Sequence, residues 1–451
     1  MRPRSDSQYF ALRFLTLAFL KLSSNLKGEM ALRILLINPN TYKSPPVPPV
    51  GLEYLGSALV KHNYNYDILD LTFAEKPLEK LKDILSNKSY NIIGFSIRNI
   101  DSCLFFNNEF FLDAFKKMIE CIKDYNIPVV LGGSGFSAEP DEILEYSKAD
   151  FGIIGPGEIA FPYFLKLWES NQLDKKIMNG WDYGLDDELE ILRAKEIEYN
   201  RYIENSGIVG FSTHVGCSNG CPYCIEANKP VYYRKIISVV REIQFWVKQG
   251  YDYFHLCDSE FNENLSYSKK FCEAIIENSL DFKWTLYMKP SPYDEELFRL
   301  LSKTNAHLIT LTVDSDKNIQ SQNNYSYDDL EKILQYCKKY NIDLAIDLLT
   351  GYPEESLQST KEVIRFFKNN RPKTVGINFY YRLLKNTKLS HLIRGNPVMQ
   401  KQLTRPYSLK EDYLIPIFYR QYKKEDIEEL IRDDDLFKIP GITPGVNYQQ
   451  E

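Results

Sequence analysis

The chain has 451 residues, 44% hydrophobic and 26% charged, which excludes a disordered polymer and suits two or three globular domains. Its net charge of −6 offers no electrostatic grip on nucleic acid, so no such partner is expected. Eight cysteines are too few for a disulfide framework in a chain this long. Three of them are crowded together, while Cys103, Cys121, Cys257, Cys272 and Cys337 are scattered through apolar stretches, the usage of a reducing, cytoplasmic protein.

Residues 1–30 form an N-terminal extension with basic residues around an apolar centre. Arg13 and Lys21 bracket only FLTLAFL, too short to span a bilayer, and no small-residue cleavage site follows. An amphipathic helix, or a true start at Met30, is expected there, and no stable membrane span anywhere.

Residues 31–170 alternate buried strands with helices. The strands are LRILLIN (32–38), YDILDL (66–71), NIIGFSI (91–97), PVVLGG (128–133) and DFGIIG (150–155). GLEYLGSALVKH, FFLDAFKKMIECIKDY and FPYFLKLWE have helical spacing. This predicts an α/β unit with an open five-stranded parallel sheet, whose ligand crevice lies at the strands' C-terminal ends. The loops at those ends are NPNTYKSPP, SIRNID, GGSG and GPGE. Glycine there either admits a ligand to the backbone or serves plain turn chemistry.

Residues 171–205 lose the alternation and read as a polar linker. From 206 to 395 it resumes through GIVGFSTHVG, YDYFHLCD, DFKWTLYMK, HLITLTVD, DLAIDLLTG and TVGINFYYRLL. About six strand–helix units predict a partial (β/α)6 barrel. Residues 396–451 form a C-terminal extension, expected to close over the barrel mouth; its acidic run Asp433–Asp435 reads as a solvated helix end.

GCSNGCPYC (216–224) places Cys217, Cys221 and Cys224 within eight positions, just after the first barrel strand. A structural zinc wants a fourth ligand; His214 is near, but no second cysteine pair follows. Three thiols cannot pair evenly as disulfides. An iron–sulfur cluster held by three thiolates keeps one iron open, as a catalytic zinc keeps one open position.

CxxxCxxC with an aromatic before its last cysteine resembles the radical S-adenosylmethionine superfamily. VYYRKIISVVREIQ (231–244), FHLCDSEFN (254–262), LITLTVDSD (308–316), DLLTGYPEES (347–356) and FYYRLLKNTKL (379–389) are similar to segments of its cobalamin-binding branch. Residues 31–170 resemble that branch's Rossmann-like cobalamin-binding domain. The resemblance implies a 4Fe-4S cluster on Cys217, Cys221 and Cys224, with S-adenosylmethionine chelated to the open iron. Tyr223 would lie along the adenine, and Asp258, Glu260, Asp314, Ser315 and Arg382 are the other candidate S-adenosylmethionine contacts. Asp258 and Glu260 could instead cap the next helix, and Arg382 could make a surface ion pair.

Cobalamin, working as methylcobalamin, is expected against Asn38, Ser96, Arg98, Asn99, Gly132, Gly133, Gly135, Gly155, Gly157 and Glu158. No DxHxxG string occurs, and His62, at a helix end, is the only histidine of that domain, so no histidine is expected beneath the metal. Arg98 either rests against the cofactor or pairs with Asp101. His255 reads as an interior histidine, and His214 could bond substrate or cluster sulfur. Together these features imply a methyltransferase acting on an unactivated carbon of a small molecule, with flavodoxin or ferredoxin as electron donor. Alternatives are a cyclase or rearrangement enzyme using the same cofactors, and a non-catalytic cobalamin-binding protein.

Overall fold

Residues 32–406 and 413–443 are described by the computed structural model; the expected N-terminal helix lies outside them. The first sheet contains β1 (Arg33–Asn38), β2 (Asn65–Asp70), β3 (Ile92–Ser96), β4 (Val129–Gly132), β5 (Phe151–Ile154) and β6 (Ile177–Asn179). All pair in parallel in the order β2-β1-β3-β4-β5-β6. Along β1, Ile34 and Leu36 enter one buried cluster while Leu35 and Ile37 enter another. Helices cover both faces, which is why the strand reads as one apolar run. The chain reverses direction across the sheet between β1 and β3, and a crevice opens there.

The sheet has six strands, not five. The sixth comes from residues that read as linker: IMN, preceded by two lysines, is too short to show a strand period and is a strand only because β5 pairs with it. The same stretch buries Leu189, Ile197, Tyr199 and Tyr202, so it is packed structure and not a loose spacer.

The second sheet begins with β7 (Val209–Phe211). A two-residue antiparallel pair follows, β8 (His214–Val215) with β9 (Tyr232–Tyr233). Then come β10 (Tyr253–Leu256), β11 (Lys283–Met288), β12 (Ala306–Asp314), β13 (Asp343–Leu349), β14 (Thr374–Asn378), β15 (Tyr381–Arg382), β16 (Phe418–Tyr419) and β17 (Phe437–Lys438). The parallel order is β7-β10-β11-β12-β13-β14-β17, with β7 and β17 as free edges, so the barrel is open. Several of its helices start at side-chain caps: Asp294 accepts from the Leu297 N–H, and Ser326 with Asp329 forms a reciprocal box.

The C-terminal extension adds strands to the barrel half. β17 lengthens the sheet beyond β14, and β16 pairs antiparallel with β15. Helix Lys424–Ile431 is tied to helix Leu357–Asn370, where Lys368 Nζ donates to Leu430 O at 2.9 Å.

Candidate active site

The cysteine loop is a bent excursion pinned at many points. Gly216 has φ +91, and a Cβ there would sit 1.9 Å from Pro230 O, so no other residue fits this close crossing. Lys229 N donates to Cys217 O (3.0 Å), Asn228 N to Asn219 O (2.8 Å) and Leu389 N to Pro222 O (2.8 Å). From β10's end, Glu263 accepts from Ser218 N (2.9 Å) and from Lys289 Nζ (2.7 Å); Lys289 also reaches Asn219 Oδ1 at 3.2 Å. Burial pushes the Cys217 and Cys221 thiols up, to about 11 and about 12, and raises Cys224 as well. The Cys221 thiol is raised further by Asp314 and by both neighbouring cysteines, so the three sulfurs feel one another.

Among the described residues no three His, Cys, Asp or Glu side chains converge on a single-ion site.

Asp258 is fully engaged by its own chain. It accepts from Thr213 N (2.7 Å), His214 N (3.2 Å) and the Thr213 hydroxyl, and lies 3.0 Å from His214 Nδ1. Through these contacts it holds the strand that leads into the cysteine loop. Ser315 is likewise spent, donating to Leu349 O (3.2 Å) and to Glu355. Arg382 is engaged by the protein as well. Nε donates to Asp101 (2.9 Å), and the remaining donors meet the carbonyls of Leu383, Tyr413 and Leu414. This buried ion pair ties the barrel to the first sheet, and it also takes the partner expected for Arg98.

Tyr223 donates its hydroxyl to Asp314 Oδ1 (2.9 Å) and packs against Tyr381. Burial lifts the Asp314 carboxyl to about 7, partly offset by the Tyr223 hydrogen bond. Glu260 differs from these. Its Oε2 is buried without a partner among the described residues, and burial lifts its carboxyl to about 8 against the pull of Lys289. An orphaned acceptor beside the cysteine loop is what an ammonium-bearing ligand requires.

Two adjoining cavities, of about 470 and 450 Å3, lie between the C-terminal strand ends of the two sheets. Both are lined by Ser96, Gly133, Ser134 and Cys257, so residues of both sheets face the same space. Gly132, Gly155, Gly157 and Glu158 border the larger cavity; Asn38 and Arg98 border the smaller. Asn99 and Gly135 border neither. A Cβ on Gly135 would come within 2.9 Å of Asn99 N, so this glycine packs a helix on its neighbouring loop. Gly133 is similarly required by the Ile97 carbonyl.

Gly132 and Gly157 do leave room: their nearest neighbours to a Cβ are Ile153 O at 3.9 Å and Leu55 Cδ1 at 3.4 Å. Glu158 Oε2 is a second buried acceptor without a partner. Asn38 spends its amide on Asp70 (2.9 Å) and Thr72 (3.0 Å). The Arg98 guanidinium has no side-chain partner among the described residues, and burial lowers its affinity for the proton. Glycine-lined room, one orphaned carboxylate oxygen and an unpaired cation fit a large ligand edged with amides.

Sequence reasoning missed Tyr54, Trp181 and Arg193, and passed over Cys257 as core. Trp181 and Arg193 lie in the segment read as linker. Only an isolated tryptophan and an isolated arginine in polar text could have flagged them.

Two parallel α/β layers that share one enclosure, with a three-thiol loop on the second, define a radical enzyme built for two cofactors. The chain belongs to the radical S-adenosylmethionine superfamily, in the branch that carries a B12 binding domain. The family models match residues 211–367 and 44–165 respectively. It is therefore a cobalamin-dependent radical S-adenosylmethionine enzyme.

A tryptophan 2-C-methyltransferase of Streptomyces laurentii is 24% identical over 442 residues, covering 79% of this chain and 73% of that one. The radical S-adenosylmethionine methyltransferase TsrM of Kitasatospora setae, solved with cobalamin and a 4Fe-4S cluster, superposes with TM-score 0.84 at 21% identity. That match covers 92% of this chain and 94% of that one. The cobalamin-dependent radical enzyme OxsB matches with TM-score 0.70 at 13% identity, over 89% of this chain and 66% of its own. These likenesses concern the fold. No helix among the described residues is long and apolar enough to cross a membrane.

Proposed function

We propose that this enzyme is a methyltransferase that moves a methyl group from S-adenosylmethionine, by way of cobalamin, onto an unactivated carbon of a small molecule. The observation that carries the reading is the shared enclosure, in which strand ends of both sheets line the same space. When bound, the cluster would supply the electron that breaks S-adenosylmethionine, and cobalamin would supply a carrier for the methyl group.

The chain's own residues hold, orient and screen. Cys217, Cys221 and Cys224 would bind the cluster, on a loop fixed by Gly216, Glu263, Lys289 and Asp258. Glu260 would accept from the ammonium of S-adenosylmethionine. Arg98, Glu158 and the openings at Gly132 and Gly157 would receive cobalamin. With the cofactors and substrate in place, the barrel wall and the first sheet would shield the space between them, protecting reactive species and fixing the approach of the two centres. An electron donor of the flavodoxin or ferredoxin kind completes the scheme.

The test uses anaerobically reconstituted enzyme, cobalamin, a chemical reductant and S-adenosylmethionine labelled in its methyl group. Tryptophan is the first substrate to try, since a relative of the same fold is described with it. Label in the product together with S-adenosylhomocysteine, and 5′-deoxyadenosine carrying the hydrogen removed from the substrate carbon, is the expected result. A turned-over substrate that carries no label would shift the reading to cyclisation or rearrangement.

A further inference from the structure

Charge is unevenly placed along the chain. From Val363 to Lys410 there are eleven lysines and arginines and no aspartate or glutamate, although the whole chain has a net charge of −6. Part of that positive charge is spent within the protein. Lys368 donates to helix-end carbonyls, Arg371 meets Asp434, Arg382 meets Asp101 and Lys385 meets Glu142. Lys388 and Lys401 differ: both are exposed, and neither has an ion-pair partner among the described residues.

Both belong to a segment that leans on the cysteine loop. Helix Lys388–Arg394 starts against it: Leu389 N donates to Pro222 O (2.8 Å), and a Cβ on Gly220 would lie 3.8 Å from Lys388 Nζ. On the inner side Leu389, Ile393 and Met399 are buried in one apolar cluster, and Tyr223 of the loop packs against it. On the outer side Leu392, one turn beyond Lys388 and so on the same face, is 42% exposed. Helix Pro397–Gln400 follows, with Val398 71% exposed, more than any other large apolar side chain among the described residues. Lys401 lies three positions after it. Within the loop, Ser218, next to Cys217, is itself exposed.

We propose that the outer face of residues 388–401 is the docking surface for the electron donor, and that the donor is an acidic flavodoxin. The inference rests on the cluster reading above. An acidic partner is repelled by most of an acidic protein and is steered to the segment where unpaired lysines stand without carboxylates. Leu392 and Val398, set between those lysines, suit the apolar edge that a protein-bound flavin presents to solvent. Two charges that steer and two apolar side chains that make contact are the composition of a transient interface. A partner seated there also meets the cysteine loop where it reaches the surface. One electron would pass from the reduced flavin to the cluster, the flavin being oxidised and the cluster reduced, with no bond made or broken.

The experiment measures binding of a bacterial flavodoxin to cluster-reconstituted enzyme by anaerobic titration, and electron transfer from reduced flavodoxin by stopped-flow absorbance. Photoreduced deazariboflavin, small and uncharged, serves as the comparison reductant. Wild type, Lys388→Glu/Lys401→Glu, Lys388→Arg/Lys401→Arg and Val398→Ser are compared, with iron content and melting temperature as controls. Wild-type binding should weaken as salt rises. The double glutamate variant should bind flavodoxin and accept its electron about tenfold or more slowly or weakly, with a flatter salt dependence. Its reduction by deazariboflavin should be unchanged. The double arginine variant should keep wild-type behaviour, and Val398→Ser should weaken binding while keeping the salt dependence. Equal flavodoxin rates in wild type and the double glutamate variant, or equal slowing with both reductants, overturns the docking surface. Reduction by a ferredoxin but not by flavodoxin overturns the assignment of the partner. A wild type that holds no iron, or whose cluster deazariboflavin cannot reduce, overturns the cluster reading itself.

Discussion

Glu260 shows how one buried carboxylate sets a pH dependence. Burial lifts it to about 8 from an ordinary value of 4.5; Lys289 opposes the shift, and Glu263 and Asp347 reinforce it. A folded-state pKa above the unfolded value means that the folded protein holds the proton more tightly. The associated stability is present in full below about 4.5 and is lost as pH rises through about 8. Glu139 and Asp314, both lifted to about 7 mainly by burial, push the same way. The apoprotein should therefore melt at a lower temperature at pH 8.5 than at pH 6.5. Glu260→Gln should flatten that fall, by an amount equivalent to about 1–2 kcal/mol. Thermal scans of both proteins across this range decide it: equal slopes would place the titration elsewhere. His255, lowered to about 4 by burial, titrates below the window and does not interfere.

At the scale of elements, the cysteine loop is a short antiparallel pair, β8 with β9, closed around an irregular excursion. Its weakest tolerance is at Gly216, where left-handed backbone and a 1.9 Å approach to Pro230 O coincide. Gly216→Ala must move the 230 strand or the loop, at a cost of about 1–3 kcal/mol concentrated where the thiols are presented. Iron and sulfide per chain after reconstitution should fall by more than half, with the melting temperature of the apoprotein little changed. Full iron loading of this variant would show that the excursion is more pliable than its contacts suggest.

The loop is also where reading the chain succeeds and fails most clearly. Cysteine spacing, the apolar strand before it and the amphipathic helix after it are local patterns, and the text displays them. Its supports are not local. Ser218 is held by Glu263, 45 residues on, and Arg382 finds Asp101 across 281 residues. An arginine or aspartate at a strand end looks the same in the text whether its partner is ligand or protein, so the contacts that Arg382 and Asp258 make within the chain were not legible. The sixth strand was hidden for a related reason: β6 has three residues, and its neighbour supplies its geometry.

For the molecule as a whole, the question is what fixes the distance between the two halves of the enclosure. Four charges are buried together where the halves meet. Arg193, from the connecting segment, contacts Glu53 on the first-sheet helix Val50–Lys61 (2.5 Å) and Glu242 on the barrel helix Ile236–Lys248. Arg234 lies 2.6 Å from the other oxygen of Glu242, and all four side chains are at most 5% exposed. Tyr54 continues the network: its hydroxyl donates to Glu242 (3.0 Å) and accepts from Ser212 N (3.1 Å), at the start of the strand leading to the cysteines.

Two positive and two negative charges balance, so each is tolerable only in company. Arg193→Met leaves Glu53 and Glu242 buried with half their compensation, and should cost about 3–5 kcal/mol. In a double-mutant cycle with Glu53→Gln, the second change should cost far less on the Arg193→Met background than alone, because the stranded charge is already gone. Unfolding of the apoprotein in urea measures both. Costs that simply add would mean that the halves are held by apolar packing, and that the four-charge cluster does not set their register.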